Sequence, residues 1–305
     1  MADPVVAPVA VVGDALLDVH VTPDGAPRPG ADVPAIVRLA PGGQGANLAV
    51  RLARRGVPTR LTCALGDDPA GRLVGEALAN DGVELETVTV DRTGAVVVLL
   101  DGAGERTMLS QRVAFLDGIG PFAFEGASWL VVSGYLLLEA DAAHAAASFG
   151  RAGRRVVVGC ALRANEVAGW ASAVNALAPS LVVINRDEAH ALAGDSGDVD
   201  AQARRVASLL GGTLVVTTPS GATAVRGEEV VKVEIATGGT AIDTTGAGDA
   251  FAAALISELL DAAWPPSIDQ LADAMRQAGE LASAVTRVAG AQGRVPSEGA
   301  ARLQP

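Results

Sequence analysis

The sequence has 305 residues, half of them hydrophobic but only 3% aromatic, so any core is built mainly from Ala, Val and Leu. A formal net charge of -12 and a pI near 4.7 exclude nucleic acid or an anionic membrane surface as the principal partner. A phosphate in the ligand must therefore be met by local donors.

Cys63 and Cys160 each sit in an apolar run and read as buried free thiols, which fits a reducing compartment. Met1 to Val12 lacks a basic segment and contains Pro4 and Pro8, unlike a signal peptide. No apolar run reaches the roughly 18 to 20 residues that span a bilayer. The expected location is cytoplasmic.

In chain order, Val9 to Gly13 is an apolar run ending in glycine, the pattern of a buried parallel strand, with Asp14 and Asp18 at its end. Residues 20–40 are rich in proline with a few alternating apolar positions and could form a disordered loop, but Val33, Ile36 and Leu39 suggest an exposed hairpin that closes over something. Pro-Gly-Gly-Gln-Gly-Ala at 41–46 precedes a helix with Leu48, Leu52 and Ala53 inward and a stop at Gly56. This is not the dinucleotide fingerprint, since Leu48 stands at the third glycine position, and no Gly-Lys-Ser/Thr phosphate loop occurs.

Leu61 to Leu65 reads as a strand, and Asp68 with Pro69 starts a helix that ends near Gly82. Thr87–Val90, Ala95–Leu100 and Arg106–Arg112 read as strands of a small second sheet, turning at Asp101-Gly102-Ala103-Gly104. With residues 20–40 they define lid segments at about 14–40 and 86–113. From Leu130 onward, strands Leu130–Ser133, Val156–Cys160, Leu181–Ile184 and Leu214–Thr217 alternate with Ala-rich helices such as Asp141–Arg151 and Asp200–Leu210. Such alternation predicts βαβ units and a parallel sheet, with ligands beyond the carboxyl ends of the strands. Asp14, Asn185, Thr217 and the loop at Gly246 all fall there. No linker splits the chain, so a single α/β domain over 1–305 is expected.

The run Asp243-Thr244-Thr245-Gly246-Ala247-Gly248-Asp249-Ala250-Phe251 follows a β-like stretch at Val230–Ile235 and opens a helix with Phe251, Leu255 and Leu259 on its apolar side. Unpartnered N–H groups at the helix start and the helix dipole make an anion pocket, and Gly246 and Gly248 let a phosphoryl group approach. A carboxylate at Asp249 would repel that anion, but makes sense as a base for an attacking hydroxyl. Alone, the run also fits a glycine turn with an acid in the first helical turn.

Together with Gly42-Gly43-Gln44-Gly45-Ala46-Asn47, the run resembles the two glycine signatures of the ribokinase-like (PfkB-type) carbohydrate kinases, and the resemblance covers essentially the whole chain. Asn185-Arg186-Asp187-Glu188 matches the family's Asn-x-x-Glu, and Gly13, Asp18, Pro29-Gly30 and Gly66-Asp67-Asp68 match further positions. The resemblance implies a doubly wound, mostly parallel sheet flanked by helices, a small β-sheet lid, and transfer of the γ-phosphoryl of ATP to an alcohol of a small sugar. It implies Asp249 as base and the Gly246-Ala247-Gly248 backbone as cradle. Asp18, Gly42, Gly43, Gln44 and Asn47 would face the acceptor. Apart from the resemblance, Arg106 and Arg112 on the expected lid strand read either as a clamp for an acidic or phosphorylated substrate or as part of a solvated strand face. Asn185, Thr217, Ser220, Gly221 and Thr245 would face the nucleotide; Glu188 would act through Mg2+, and Asp243 near a K+ loop. A homodimer through the lid is a further expectation.

Three departures stand out. Gln44 replaces the lysine of ribokinase. Thr217-Thr218-Pro219-Ser220-Gly221 is one residue shorter than the family's Thr-x-Gly-x-x-Gly and carries a proline, which donates no N–H. Gly159 occupies a place where many relatives have aspartate. The alternatives are a nucleoside, an acidic or phosphorylated sugar as acceptor, or a nucleotide-binding member without turnover. His20, His144 and His190 are scattered without metal spacing, and no Gly-x-Ser-x-Gly is present.

Overall fold

The computed structural model describes residues 9–100, 106–119, 124, 127–138, 149, 152–194, 197–235 and 239–299. Strand β1 (Val9–Val12) runs into β2 (Leu16–Pro23) and β3 (Ala35–Gly42), then helix α1 (Gln44–Arg54). Next come β4 (Thr59–Gly66), α2 (Pro69–Asn80), β5 (Glu84–Val90), β6 (Gly94–Leu100) and β7 (Arg106–Gln111). The second half holds β8 (Trp129–Ser133), β9 (Arg154–Val158), α3 (Val167–Leu177), β10 (Leu181–Asn185), α4 (Arg186–Ala193) and α5 (Val199–Leu210). The chain closes with β11 (Thr213–Thr218), β12 (Gly221–Arg226), β13 (Glu229–Glu234), α6 (Ala247–Leu259) and α7 (Ile268–Val285).

Nine of these strands form one sheet in the order β13-β12-β11-β10-β9-β8-β1-β4-β5. Pairing is parallel from β5 to β11, and antiparallel only at β12 and β13. Successive residues of one strand enter opposite cores. Val9, Val11, Leu181 and Val183 pack with α1, α6 and α7, while Ala10, Val12, Val182 and Ile184 pack with α3, α4 and α5. Burial on both faces is why these strands read as unbroken apolar runs, and why helices cover both sides. The sheet is therefore doubly wound.

A second sheet of four strands, β3-β2-β6-β7, stands apart from the first. Its strands β3 and β7 are exposed along most of their length. One part of the expected lid belongs elsewhere: the segment 86–90 lies in β5, which pairs with β4 in parallel at the edge of the large sheet. The second lid segment thus begins at Gly94. An edge strand with one covered face alternates just as a lid strand does, so periodicity alone could not separate the two. The expected helix at Asp141–Arg151 and the turn at 101–104 lie outside the described residues, apart from Phe149.

Helix starts follow local chemistry. Asp68 caps α2 by accepting from the Gly71 N–H at 2.7 Å, with Pro69 at the first helical position. Asn185 and Glu188 form a reciprocal capping box on α4, each side chain accepting from the other's backbone N–H at 2.9 Å. That box fixes the Glu188 side chain at the end of β10.

Candidate active site

Two cavities meet where the carboxyl ends of the parallel strands face the lid. The first, about 180 Å³, lies between the lid residues Leu16, Asp18, Val96 and Met108 and the main domain residues Asn47, Glu188, Thr245 and Asp249. The second, about 130 Å³, continues from it along Val183, Asn185, Thr217 and Gly248. Gln44, Gly159, Glu188, Gly246 and Asp249 line both. The two spaces therefore share one junction, and Asp249 is at it.

Asp249 sits in the first turn of α6, whose N-cap is Gly246 in the left-handed region (φ 76°). A Cβ at Gly246 would collide with Ala291, 2.8–2.9 Å away, so both the turn and its packing require glycine. A Cβ at Gly248 would meet nothing within 4 Å and would instead project into open space. That is the bare, accessible backbone that the sequence predicts for the cradle. Ala247 lines neither cavity, and its N–H leans back to the Thr244 carbonyl at 3.4 Å. The accessible part of the helix start is Gly246 and Gly248.

Asn47, in the first turn of α1, donates from Nδ2 to Asp249 Oδ2 at 2.8 Å. Its amide thus faces the expected base as well as the acceptor cavity. Burial pushes the Asp249 carboxyl up to about 7; the Asn47 hydrogen bond opposes that rise and the Asp14 charge adds to it. Glu188 also rises to about 7, through burial first, with the Asn185 bond opposing and Asp249 and Asp187 repelling. Asp18 rises to about 6, by burial and then by repulsion from Asp14, with Arg112 acting in the opposite sense. Raised carboxyls gathered at a cavity mark a functional site more often than a structural one.

Gln44, expected at the acceptor, is tied down at both ends. Its Nε2 donates to the Gly159 carbonyl at 2.6 Å, while its Oε1 accepts from the Gly134 N–H at 3.0 Å and the Ser133 hydroxyl at 2.7 Å. It braces the ends of β8 and β9 and still lines the cavity. Gly42 has a different job from the one expected: a Cβ there would lie 2.3 Å from the Asp18 carboxylate. It makes room for Asp18 and does not line either cavity, whereas Gly43 lines the first.

Arg112 does point into the first cavity. Its guanidinium pairs with Asp14 and lies over the Tyr135 ring, 3.5 Å from the centroid. Arg106, also from the lid, reaches across to Thr244 Oγ1 at 2.8 Å, to Thr245 Oγ1, and to Asp243 Oδ1 at 3.5 Å. Asp243 accepts from the N–H groups of Thr245 and Gly290, both at 2.9 Å. Burial alone would raise its carboxyl, but these bonds and Arg106 hold it below the ordinary range. Arg163 lies outside the site, exposed and paired with Glu166.

Of the residues expected to face the nucleotide, Asn185 and Thr217 line the second cavity, while Thr245 lines the first. Ser220 and Gly221 line neither. Pro219 and Ser220 form the tight turn of the β11–β12 hairpin, where a Cβ at Gly221 would strike the Val233 carbonyl at 2.3 Å. Tyr135, which lines the first cavity, and Ser133 and Gln292, which hydrogen-bond Gln44 and Asn47 beside it, stood out by no sequence signal.

A doubly wound sheet, a β lid over its strand ends, and an acid in the first turn of a glycine-capped helix together define a phosphotransferase of the ribokinase-like type. Comparison with known proteins agrees. Residues 7–298 match the pfkB family carbohydrate kinase. A fructokinase from Klebsiella pneumoniae is 30% identical over 94% of this chain and 95% of its own length. An Arabidopsis thaliana ribokinase is 27% identical over 83% of this chain and 71% of its own. Among solved structures, ribokinase from Thermotoga maritima superposes with a TM-score of 0.79, at 21% identity, over 97% of this chain and 98% of that one. Arabidopsis ribokinase complexed with ribose and ATP gives 0.75 at 23% identity, over 94% of each chain.

The chain belongs to the pfkB family of carbohydrate kinases. It is a kinase that phosphorylates a sugar hydroxyl at the expense of ATP.

Proposed function

We propose that the protein transfers the γ-phosphoryl of ATP to a hydroxyl of a small neutral sugar, with Asp249 as general base. The observation that carries this reading is the position of Asp249 at the junction of the two cavities. An acceptor in the first cavity and a nucleotide in the second would bring the attacking oxygen and the phosphorus together at that carboxylate. As the oxygen attacks, its O–H bond breaks and the proton passes to Asp249. The new O–P bond forms, and the bond from phosphorus to the bridging oxygen breaks, with its electron pair leaving on ADP.

Charge developing on the transferred group would meet the backbone N–H groups at Gly246–Gly248 and the positive end of α6. The open space over Gly248 fits a phosphoryl group. Glu188, which lines both cavities, would help hold Mg2+ at the same junction, and the ion would neutralise phosphate charge there. No cluster of three or more His, Cys, Asp or Glu that could hold a metal occurs among the described residues. The reading also puts K+ beside Asp243, in competition with the Arg106 guanidinium. Activity indifferent to choline in place of potassium would remove K+ from it.

The acceptor is read as neutral because Arg112, the one cation among the described residues that lines the first cavity, is already paired with Asp14 and stacked on Tyr135. Asp18, buried in the same cavity, suits hydroxyl donors and repels carboxylate or phosphate. ADP release measured against neutral sugars, nucleosides, sugar acids and sugar phosphates tests this. Preference for a sugar acid or sugar phosphate would overturn it.

The lid carries exposed Ile36, Val37 and Leu39 on β3 and Met108 and Leu109 on β7. This supports a homodimer formed through the lid, to be read by light scattering. Cys63 and Cys160 are free and buried, and no described helix is long and apolar enough to cross a membrane. Free thiols support a reducing, cytoplasmic location.

A further inference from the structure

Helix α1 presents Asn47, Arg51 and Arg54, at i, i+4 and i+7, to one stretch of chain after α7. Arg51, fully buried, donates to Glu298 Oε1 and, at 2.7 Å, to the Ala291 carbonyl. Arg54 donates to the Gln292 carbonyl at 2.6 Å. The backbone at 291–292 is thereby fixed to the helix that carries Asn47. From that position Gln292 donates from Nε2 to Asn47 Oδ1 at 3.0 Å, and Asn47 Nδ2 donates on to Asp249 Oδ2.

An Asn side chain can turn either its NH2 or its oxygen toward a neighbour, and the two ends are similar in shape. Turned the wrong way, Asn47 would set a lone pair against the carboxylate of Asp249. With its Nε2 turned to Asn47 Oδ1, Gln292 favours the other orientation, the oxygen of Asn47 on the Gln292 side and its NH2 toward Asp249. At its other end Gln292 Oε1 is buried with no hydrogen-bond partner among the described residues.

We propose that Gln292 is a positioning residue for phosphoryl transfer, locking Asn47 so that its NH2 orients the Asp249 carboxylate toward the acceptor hydroxyl. This rests on Asp249 being the base. It adds a role for a residue about forty positions beyond the catalytic signature, on a segment that lines neither cavity.

A double-mutant cycle tests it. Gln292→Met keeps much of the volume and removes the donor. Gln292→Asn keeps an amide but is one methylene too short to reach. Both should lower kcat about tenfold, as expected for loosening a hydrogen bond to a charged group, with KM for ATP unchanged and thermal unfolding close to that of the parent. In an Asn47→Ala background, Gln292→Met should have no further effect on kcat. Additive losses, an unchanged kcat in the single variants, or loss of fold in both would each overturn the proposal. Asp249→Asn, measured alongside, separates the two levels. If it retains kcat, the base assignment has failed; if it abolishes kcat while the cycle is additive, only the role of Gln292 has failed.

Discussion

The carboxylate of Glu188 fills the space that a side chain at Gly159 would need: a Cβ built there would lie 2.4 Å from Glu188 Oε2 and 2.8 Å from Ile184 Cγ2. Gly159 therefore does not simply lack the aspartate found in many relatives. It leaves room for a glutamate that enters from α4, held by its capping box with Asn185. A carboxylate still faces both cavities, supplied by a different element.

Gly159→Ala should accordingly displace Glu188 and raise the Mg2+ concentration needed for half-maximal activity. Glu188→Gln should do the same, since the amide can still accept from the Asn185 N–H but carries no charge. Initial rates across a magnesium titration check both. Curves superimposable on that of the parent would remove Glu188 from the metal's surroundings.

Asp18 should govern acceptor binding. Asp18→Ala removes a carboxylate suited to accept from sugar hydroxyls, and its expected effect is a KM for the sugar raised by an order of magnitude or more, roughly 1.5–3 kcal/mol for a charge-assisted bond. The KM for ATP should stay within about twofold. Steady-state kinetics with each substrate varied in turn decides this, and an equal rise in both constants would point to collapse of the lid.

The large sheet was legible in the sequence because its strands are buried on both faces and so read as apolar runs bounded by glycine. The capping signal at Asp68 located α2 for a similarly local reason. The lid was half legible: β6 alternates between buried and half-buried positions, but β5 reads as a strand in the same way and edges the main sheet. Gln292 was invisible, because its role depends on contact with Asn47 across 245 residues of chain. Gly42 carried a visible motif with a hidden purpose, since only the packing shows that it clears space for Asp18.

Stability should fall as pH rises from about 4 to 7. Asp18, Glu188 and Asp249 have folded-state values of about 6, 7 and 7, above their ordinary 3.8 to 4.5. The folded protein therefore binds more protons than the unfolded chain in that window, and each added pH unit favours unfolding. Asp68, Glu166 and Asp243 are shifted downward, so their contribution is present above about pH 4 and lost below it. Thermal unfolding of the ligand-free protein should show a midpoint several degrees higher at pH 5 than at pH 8. An opposite trend would show that these three carboxyls are not desolvated as the structure has them.

The same carboxyl sets the pH dependence of catalysis. Asp249 must be unprotonated to accept the hydroxyl proton, so kcat/KM for the sugar should rise with pH and level off above about 7. A rate that is flat from pH 5.5 to 8.5 would mean that no group with this shift lies on the path.

The most direct test of the account is the turnover of Asp249→Asn, with ADP formation measured at saturating ATP, Mg2+ and the best acceptor of the panel. The amide preserves shape and can still pair with Asn47, but it cannot take the proton. The expected result is a kcat lower by roughly 10²- to 10⁴-fold, the range for loss of a positioned base, with nucleotide binding retained by calorimetry. A variant that turns over at nearly the parental rate would contradict the assignment of Asp249 as the base.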